Sequence, residues 1–453
     1  MRKCRVLTAI LSLVMTAVLL CPASLALQQP ELTAKAALLM DAKYDQVLYE
    51  KNADQRMVPA SLTKVMTAML VLDEVDAGNL RMDQIVTASN TFTKGLAANG
   101  STQNIRAGEQ MTLSDLLYCL LVPSANEAAN ILAETVDGSI EAFVERMNSK
   151  AAELGCEGTQ FANPHGLHHP DHYSTARDLY RIACKAMENE IFRTIVSTKR
   201  HEVPATNMHE ARVFYNTNAL LVTWYYLDSY IYDKTIGIKT GTTDEGGYCL
   251  LSAAQDEEQY LISVVLDAPM IPLENGRNDR RHFTESRELF RWGFDNFSRR
   301  QIVDTATPIA QVDVTLSGTD HVLVRPAAQL ERTLPNDMDL SKVTQTVHLD
   351  SDTVAAPVEE GQVLGKLVLA YEGEELGAVD LVSVSAAERS AFLYRLHQIK
   401  QFFSHPIVRI ITVIVALAIV ALVLRKVLTP SRRGRYGGRR YSGRRNYRGR
   451  RRK

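Results

Sequence analysis

Cysteine is scarce in this chain, and its spacing excludes the common cysteine metal sites. Six cysteines occur among 453 residues, and no two of them stand at the short separation that zinc sites use. Cys119 and Cys249 lie inside apolar runs, where a thiol more often fills the core than forms a disulfide. The spacing leaves a single disulfide open. We expect neither a metal ion nor any other cofactor.

Long apolar runs are absent from the interior of the sequence and occur only near its two ends. At the first end, a basic start, an apolar stretch (Val6–Leu20) and small residues (Ser24–Ala26) are typical of a secretory signal peptide. Lipidation of Cys21 is disfavoured, because Leu20 stands where a lipoprotein signal has a small residue. We predict a signal peptide over residues 1–26, and therefore export of the chain.

The second apolar run predicts a membrane span. Ile410–Leu424 holds fifteen residues without a charge, and Pro406–Arg409 extends the run to nineteen. At about 1.5 Å per residue, such a helix crosses a hydrocarbon core of about 30 Å. The run is apolar on every side, which favours a span over a helix lying in the membrane interface. We predict a transmembrane helix over residues 406–424.

Acidic residues are absent after the predicted span, and this charge pattern predicts which side of the membrane each end of the span faces. Residues 425–453 contain 14 lysines and arginines and no acidic residue, whereas the part between signal and span has 33 basic and 52 acidic residues. Basic flanks stay in the cytoplasm, so we predict a single-pass membrane protein with an extracytoplasmic ectodomain. The arginine- and glycine-rich tail resembles nucleic-acid-binding segments, but contact with anionic membrane lipids is the favoured expectation.

Three short motifs in the interior predict active-site serine chemistry. The first, Ser61-Leu62-Thr63-Lys64, stands between Pro59 and an apolar run, as at the start of a buried helix. Ser61 and Lys64 are then one turn apart on the same face. Burial lowers the pKa of a lysine, which suits a base for a serine hydroxyl. We predict a nucleophile and its base here, rather than a helix cap and a surface lysine.

The second motif places Ser124 and Asn126 between two predicted helices. Leu113–Leu121 ends before a proline, and a new helix starts at Asn126. A loop of this kind can direct a hydroxyl and an amide into a cleft, which makes both residues candidates for the site. Ser124 also fits a capping box with Glu127, and the two interpretations are compatible.

The third motif, Lys239-Thr240-Gly241, ends a predicted strand that begins at Thr235. A turn and a return strand, Tyr248–Ala254, follow it. Gly241 on an edge strand would let a substrate backbone approach closely. Lys239 and Thr240 would offer a charge and a hydroxyl to a carboxylate.

With these three motifs in this order, the sequence resembles the D-alanyl-D-alanine carboxypeptidases, which are low-molecular-mass penicillin-binding proteins. The resemblance implies an α+β fold of the serine β-lactamase and transpeptidase type, in which helices cover an antiparallel sheet and a helical subdomain lines the cleft. It also implies a small all-β domain, peptidoglycan stem peptides as substrates and β-lactam antibiotics as inhibitors. It covers residues 30–385, and further strings that support it are Asn163–Leu167, His172–Leu179 and Asn216–Asn218.

The resemblance further implies a role for each motif residue. Ser61 would attack the carbonyl between two D-alanines, Lys64 would take its proton, and Ser124 would relay a proton to the leaving D-alanine. Backbone N–H groups of Ser61 and Thr242 would form the oxyanion hole. Asn126 would hold the peptide amide. The implied substrate-binding residues are Asn126, Lys239, Thr240, Gly241 and Thr242.

An arginine downstream of the third motif is also implied, as a partner of the terminal carboxylate. The string Asn278–Phe283 contains Arg280 and Arg281. Its register against the family is open, so the sequence does not choose between the two.

The sequence after residue 298 predicts a second exported domain. Short alternating strands between Gln311 and Tyr371 are separated by turns such as Glu372–Glu374. The predicted organisation is a signal peptide (1–26), a carboxypeptidase catalytic domain (27–298), a β-rich domain (305–385), a juxtamembrane helix (386–405), a transmembrane helix (406–424) and a basic cytoplasmic tail (425–453).

Three alternative functions stay open on the sequence alone. A β-lactamase shares the motifs, but it needs a glutamate over the cleft, for which the sequence offers no convincing candidate. A non-catalytic cell-wall-binding protein on the same fold would have little reason to keep Ser61, Lys64, Ser124 and Lys239 together. A D,D-endopeptidase acting on cross-links is the third.

Overall fold

The structure is a computed structural model that describes residues 27–97, 100–223, 230–274 and 276–428. The predicted signal peptide lies outside these residues, as does the basic tail from residue 429 onward. Contacts within the chain divide it into two units. The first unit runs to Val303 and also contains Leu330–Val343, and the second unit comprises Asp304–Gln329 and the chain from Thr344.

Strands and helices are numbered in chain order. The strands are β1 (Ala36–Asp41), β2 (Gln46–Lys51), β3 (Ile85–Thr87), β4 (Gln110–Thr112), β5 (Arg200–Val203), β6 (Arg212–Tyr215), β7 (Thr235–Thr243), β8 (Gly247–Gln255), β9 (Tyr260–Ala268), β10 (Met270–Pro272), β11 (Asn278–Arg280), β12 (Phe297–Val303), β13 (Ala310–Thr315), β14 (His321–Pro326), β15 (Leu330–Pro335), β16 (Thr344–Leu349), β17 (Thr353–Ala355), β18 (Val363–Tyr371) and β19 (Glu374–Ser383). The α-helices are α1 (Lys64–Asp76), α2 (Leu113–Leu121), α3 (Asn126–Asp137), α4 (Ile140–Glu153), α5 (Ala176–Ala186), α6 (Glu190–Ser197), α7 (Arg281–Asn296), α8 (Ala391–Ser404) and α9 (Pro406–Leu428).

A five-stranded antiparallel sheet forms the centre of the first unit, in the order β2-β1-β9-β8-β7. Alternate residues of a strand point to opposite faces, and β1 shows this directly. Leu38 and Met40 pack into a core with α1 to α6, whereas Ala37 and Leu39 pack into a second core with α7. The sheet is therefore covered by helices on both faces, which confirms the predicted α+β fold.

The third motif lies on β7, at one edge of this sheet. The strand, its turn and its return strand β8 follow the predicted pattern, so the hairpin around Gly241 is confirmed. An edge strand has backbone N–H and C=O groups without a neighbouring strand. The motif is therefore on one of the two edge strands of the sheet, where an extended peptide could pair with it.

Helix α1 is buried along most of its length, as its apolar composition predicts. Every residue from Lys64 to Leu72 is buried, and the helix packs against α2, α3, α5 and α6. Burying each large aliphatic side chain stabilises the fold by about 1.5–3 kcal/mol. The helix that begins beside Ser61 is consequently one of the most firmly held elements of the unit.

One strand pair differs from the predicted domain limits. β12 pairs with β15, from Phe297 opposite Pro335 to Val303 opposite Leu330. Thr333 of β15 also donates a hydrogen bond from its hydroxyl to the Asp41 carboxylate of β1. The first unit thus includes Leu330–Val343, which the sequence predicts as part of the β-rich domain. The paired strands are some 30 residues apart in the chain, and such a long-range pairing leaves no periodic pattern in the sequence.

The second unit contains a six-stranded sheet in the order β16-β18-β19-β14-β13-β17. All neighbours are antiparallel except β13 and β17, which are parallel. Strand positions at His321, Thr344 and Val363 agree with the predicted all-β domain.

Two helices follow this sheet. α8 lies within the segment predicted as juxtamembrane helix, and α9 begins at Pro406, where the predicted span begins. The most apolar 18-residue stretch of α9 has a mean hydropathy of 3.1, and no residue of the helix is buried. It is the one helix among the described residues that is long and apolar enough to cross a membrane.

Candidate active site

Ser61 lies in a tight 3₁₀ turn, Ala60–Thr63, that runs directly into α1. Ala60 precedes it with φ +48°, a left-handed conformation that costs energy for a residue with a β-carbon. Gly166 makes room for this turn: a β-carbon there would lie 1.9 Å from the Ala60 carbonyl oxygen. The strained turn is therefore held by close backbone packing from a separate loop.

A second support for the turn comes from two buried side chains. Thr63 Oγ1 donates to the Ala60 carbonyl oxygen over 2.8 Å. His172 Nδ1 accepts from the Ala162 N–H, so its Nε2 carries the proton and donates to Thr63 Oγ1 over 2.8 Å. Burial lowers the pKa of His172 to about 3, so this chain of hydrogen bonds stays uncharged.

Lys64 is fully buried beside Ser61, and its contacts fit a neutral amine. Its Nζ donates to Asn126 Oδ1 over 2.7 Å and to the His165 carbonyl oxygen over 2.8 Å. The same nitrogen lies 2.9 Å from Ser61 Oγ. A neutral amine has two N–H groups and one lone pair, so the two acceptors leave the lone pair for the Ser61 hydroxyl. Burial, and then the charge of Lys239, hold the pKa of Lys64 well below its usual value.

Lys239 is also buried, and it reaches the site less directly than the sequence predicts. Its Nζ donates to the Thr240 carbonyl oxygen over 3.0 Å, and its side chain lines neither of the cavities described below. Burial lowers the pKa of Lys239 to about 7. Lys239 therefore does not line the cleft, whereas Thr240 does.

Gly241 brings β7 into contact with the Ser61 turn. A β-carbon at Gly241 would lie 3.2 Å from the Ser61 nitrogen and 3.1 Å from Ala60 Cβ. A larger residue would push the edge strand away from the nucleophile. Glycine at this position therefore lets β7 lie directly against the Ser61 turn.

Ser124 does not act as the helix cap that the capping-box pattern allows. The N-cap residue of α3 is Ala125, which makes no side-chain cap bond, and Ser124 has φ +71°. Glu127 instead accepts hydrogen bonds from the Thr102 hydroxyl and the Gln103 N–H. The capping interpretation is wrong, because the loop turns Ser124 in a left-handed conformation toward the cleft.

Two adjoining cavities meet at Ser61. The smaller, of about 190 Å³, is lined by Ser124, Thr217, Thr240 and Arg280 among others. The larger, of about 640 Å³, is lined by Asn126, Gly166 and Thr243 among others. Ser61, Ser101 and Thr242 line both. The cleft thus offers one small polar compartment and one longer compartment on the two sides of the nucleophile.

The structure separates the two arginines that the sequence leaves open. Arg280 lines the small cavity, with its guanidinium carbon 5.3 Å from the centre of the Tyr248 ring. Arg281 is turned away into ion pairs with Asp279, 3.2 Å, and Glu285, 3.1 Å. Arg280 is therefore the arginine of the pair that borders the cleft.

Three further residues of the site were missed by motif reasoning. Thr217 lies 2.6 Å from Thr240, hydroxyl to hydroxyl, and joins the Asn216–Asn218 loop to β7. His165 supplies a carbonyl to Lys64, and Gly166 packs under the nucleophile turn. All lie on strings that the family resemblance had marked without a role. The described cysteines are free thiols, and no group of three or more metal-ligating side chains occurs within the described ranges.

In sequence and in structure, the chain is similar to known D-alanyl-D-alanine carboxypeptidases and penicillin-binding proteins. The D-alanyl-D-alanine carboxypeptidase family, peptidase S11, matches residues 23–270, and the C-terminal domain of penicillin-binding protein 5 matches residues 297–389. The chain is 31% identical over 380 residues to D-alanyl-D-alanine carboxypeptidase DacC of Escherichia coli, covering 82% of this chain and 88% of the relative. It is 28% identical over 361 residues to DacF of Bacillus subtilis, covering 80% and 87%. Penicillin-binding protein 5 of Haemophilus influenzae has a similar structure, with a TM-score of 0.64 at 30% identity over 80% of this chain and 99% of that one.

Proposed function

The chain belongs to the D-alanyl-D-alanine carboxypeptidase family, and we propose that it removes the terminal D-alanine of peptidoglycan stem peptides through an acyl-enzyme on Ser61. The observation that carries this proposal is the set of three contacts around the Lys64 amine, which leaves its lone pair for Ser61. The relatives named above are carboxypeptidases or penicillin-binding proteins, which lends no support to the β-lactamase, endopeptidase or wall-binding alternatives.

The acylation step follows from the geometry around the nucleophile. Ser61 Oγ attacks the carbonyl carbon between the two D-alanines while neutral Lys64 takes the hydroxyl proton. The carbonyl oxygen gains negative charge and accepts hydrogen bonds from the Ser61 and Thr242 N–H groups. When the C–N bond breaks, Ser124 passes a proton to the leaving amine, and D-alanine departs with an intact carboxylate. Water then attacks the ester and restores Ser61.

The two compartments of the cleft divide the substrate between them. The terminal carboxylate of the leaving D-alanine belongs in the small cavity, where Thr240 offers a hydroxyl and Arg280 a charge. The rest of the stem peptide belongs in the larger cavity, along β7. Asn126 uses its Oδ1 for Lys64, so only its NH₂ group is left to donate to a substrate carbonyl.

Removal of Arg280 tests the placement of the carboxylate. Arg280→Ala is expected to lower kcat/KM for a D-Ala-D-Ala peptide by about 10- to 100-fold, mostly through KM, because a charged hydrogen bond to the carboxylate is lost. Arg280→Lys keeps the charge and should recover part of the loss. Steady-state release of D-alanine measures both.

A matched control lies on α7, the helix that follows Arg280. Arg291 of α7 is exposed and lines neither cavity, so Arg291→Ala should leave kcat/KM within about twofold of wild type. Equal losses in Arg280→Ala and Arg291→Ala would show a general effect of net charge and remove Arg280 from the site.

We further propose a single-pass topology, with the first unit and the six-stranded sheet of the second unit outside the cell. α9 would cross the membrane, and the 14 basic residues from Arg425 onward would stay in the cytoplasm. α8 carries exposed apolar residues such as Phe392, Leu396 and Phe402, so it is expected to lie at the membrane surface beside the span.

Protease accessibility tests this topology. In wall-stripped cells, added protease should digest the first unit and spare an epitope tag placed after Lys453, because only the tail is behind the membrane. Truncation before Ala391, which removes α8 and α9, should release soluble and active enzyme after removal of the signal peptide. Truncation before Ser431 removes only the tail and should leave the enzyme in the membrane. Digestion of the tag in intact wall-stripped cells would reverse the orientation.

The reaction itself is tested by incubating the purified chain with a pentapeptide that ends in D-Ala-D-Ala. Release of one D-alanine per peptide is the expected product. Cleavage of a cross-linked dimer with no release from the pentapeptide would replace carboxypeptidase by endopeptidase activity.

A further inference from the structure

Glu127 is a buried carboxylate near the catalytic lysine, and the roles assigned above do not use it. It is the second residue of α3, directly after Asn126, and is 2% exposed. Asn126 Oδ1 accepts a hydrogen bond from Lys64 Nζ, so Glu127 is the chain neighbour of a residue that holds the base. α3 also packs against α1, the helix that begins at Lys64.

Hydrogen bonds use only one oxygen of this carboxylate. Oε1 of Glu127 accepts from the Thr102 hydroxyl and from the Gln103 N–H. Oε2 is buried and has no hydrogen-bond partner among the described residues, and none of them forms an ion pair with Glu127. A carboxylate that is buried without a cationic partner costs free energy. A positive charge that appears close to it is therefore favoured.

Lys64 supplies such a charge during acylation. Its amine is neutral before the reaction and becomes an ammonium when it takes the Ser61 proton. Burial, and then the charge of Lys239, lower the pKa of Lys64, whereas the charge of Glu127 raises it. Glu127 thus favours the protonated state of the base, which is the state that acylation creates.

The remaining titratable groups around this pair carry no charge. His165 and His172 face the amine from the loop beneath the nucleophile, and burial lowers the pKa of each to about 3. The Cys119 thiol of α2, on which Glu127 also acts, stays protonated because burial raises its pKa. The charges that decide the basicity of the amine are therefore those of Lys239 and Glu127.

We propose that Glu127 is a positioning residue for acylation, whose negative charge stabilises the ammonium that forms on Lys64 when Ser61 attacks. The inference rests on the proposed function, because it takes Lys64 as the base. The proton moves from Ser61 Oγ to Lys64 Nζ as the bond between Oγ and the carbonyl carbon forms. Transfer of a proton through Ser124 to the leaving amine then returns Lys64 to its neutral form. Because the stabilisation exists only while Lys64 holds the proton, it lowers the barrier.

Glu127→Gln removes the charge and keeps the shape of the side chain. We expect its second-order rate constant for acylation by a penicillin to fall about 10- to 100-fold. This is less than the loss of the base itself, because the charge acts on Lys64 without a hydrogen bond. The acid limb of the pH profile should move to lower pH, since Lys64 loses the charge that raises its pKa. Stopped-flow acylation of the full chain in detergent measures both.

A role limited to holding the loop gives a different result. If Glu127 only fastened Thr102 and Gln103, the amide oxygen of Glu127→Gln would replace Oε1, and the acid limb would stay in place. Glu127→Asp keeps the charge, so its acid limb should lie closer to that of wild type than the limb of Glu127→Gln. If thermal unfolding shows that Glu127→Gln does not fold, Glu127→Met, which is neutral and of similar size, takes its place.

Glu134 provides a matched control on the same helix. Its carboxylate accepts hydrogen bonds from the Ser89 and Thr91 hydroxyls, so it also fastens a loop to α3. It stands about two helical turns beyond Glu127. Glu134→Gln removes the same charge, and we expect it to leave the acylation rate within about twofold of wild type and the acid limb in place.

An acid limb that stays in place in folded Glu127→Gln would overturn the proposal, as would an unchanged acylation rate or an equal shift in Glu134→Gln. Failure of the proposed function has a different result. In that case the wild-type chain itself would form no acyl-enzyme, and the variants would have no profile to shift.

Discussion

Replacing Ser61 by alanine is expected to abolish release of D-alanine from a D-Ala-D-Ala pentapeptide. The nucleophile is removed, and no other hydroxyl lies at the Lys64 lone pair in the described structure. The loss of kcat should be on the order of 10⁶-fold, as for removal of the serine from other acyl-transfer enzymes. A coupled assay for free D-alanine measures it.

The fold should survive this change. Ser61 is only partly buried and its hydroxyl makes no contact that supports the core, so the melting temperature of Ser61→Ala should stay close to that of wild type. Ser149 is a suitable control, because it lies on the exposed face of α4 and its hydroxyl donates a hydrogen bond to the Glu145 carbonyl. Ser149→Ala should be fully active. Normal D-alanine release by folded Ser61→Ala would disprove the assignment of the nucleophile.

Replacing Lys64 by arginine is expected to slow acylation by about 10²- to 10⁴-fold, the range that a general base contributes. Arginine keeps a positive charge but cannot lose its proton near neutral pH. It therefore lacks the lone pair that the Asn126 and His165 contacts leave for Ser61 in the wild-type chain. Stopped-flow acylation by a penicillin measures the effect. A normal rate would reduce Lys64 to a structural or electrostatic role.

The pH profile of wild-type acylation gives an independent check on the two buried lysines. Lys64 must be neutral to act, so acylation should fall as pH decreases through its lowered pKa. Lys239 must be charged to attract a carboxylate, and its pKa is lowered to about 7. Acylation at low substrate should therefore also fall as pH rises above about 7, which gives a bell-shaped kcat/KM profile. In Lys239→Met the alkaline limb should disappear.

Local sequence patterns predicted the elements that carry the three motifs. The apolar run after Lys64 predicted a buried helix, and alternation around Lys239 predicted an edge hairpin. Both rest on interactions between residues close in the chain, which periodicity and turn chemistry report well.

Long-range packing decided the features that the sequence did not reveal. Ser124 fitted a capping box, yet Glu127 accepts hydrogen bonds from Thr102 and Gln103, which are 25 and 24 residues away, and makes no cap with Ser124. Arg280 and Arg281 are adjacent in sequence, and only the fold shows that Arg280 lines the small cavity whereas Arg281 does not.

The acyl-enzyme on Ser61 is tested most directly by mass spectrometry of the full chain after brief exposure to a penicillin, followed by peptide mapping. The expected result is an adduct with the mass of the intact drug on the peptide that contains Ser61, absent from Ser61→Ala. An adduct on another residue that persists in Ser61→Ala, or no adduct at saturating penicillin, would contradict a serine acyl-enzyme at this site.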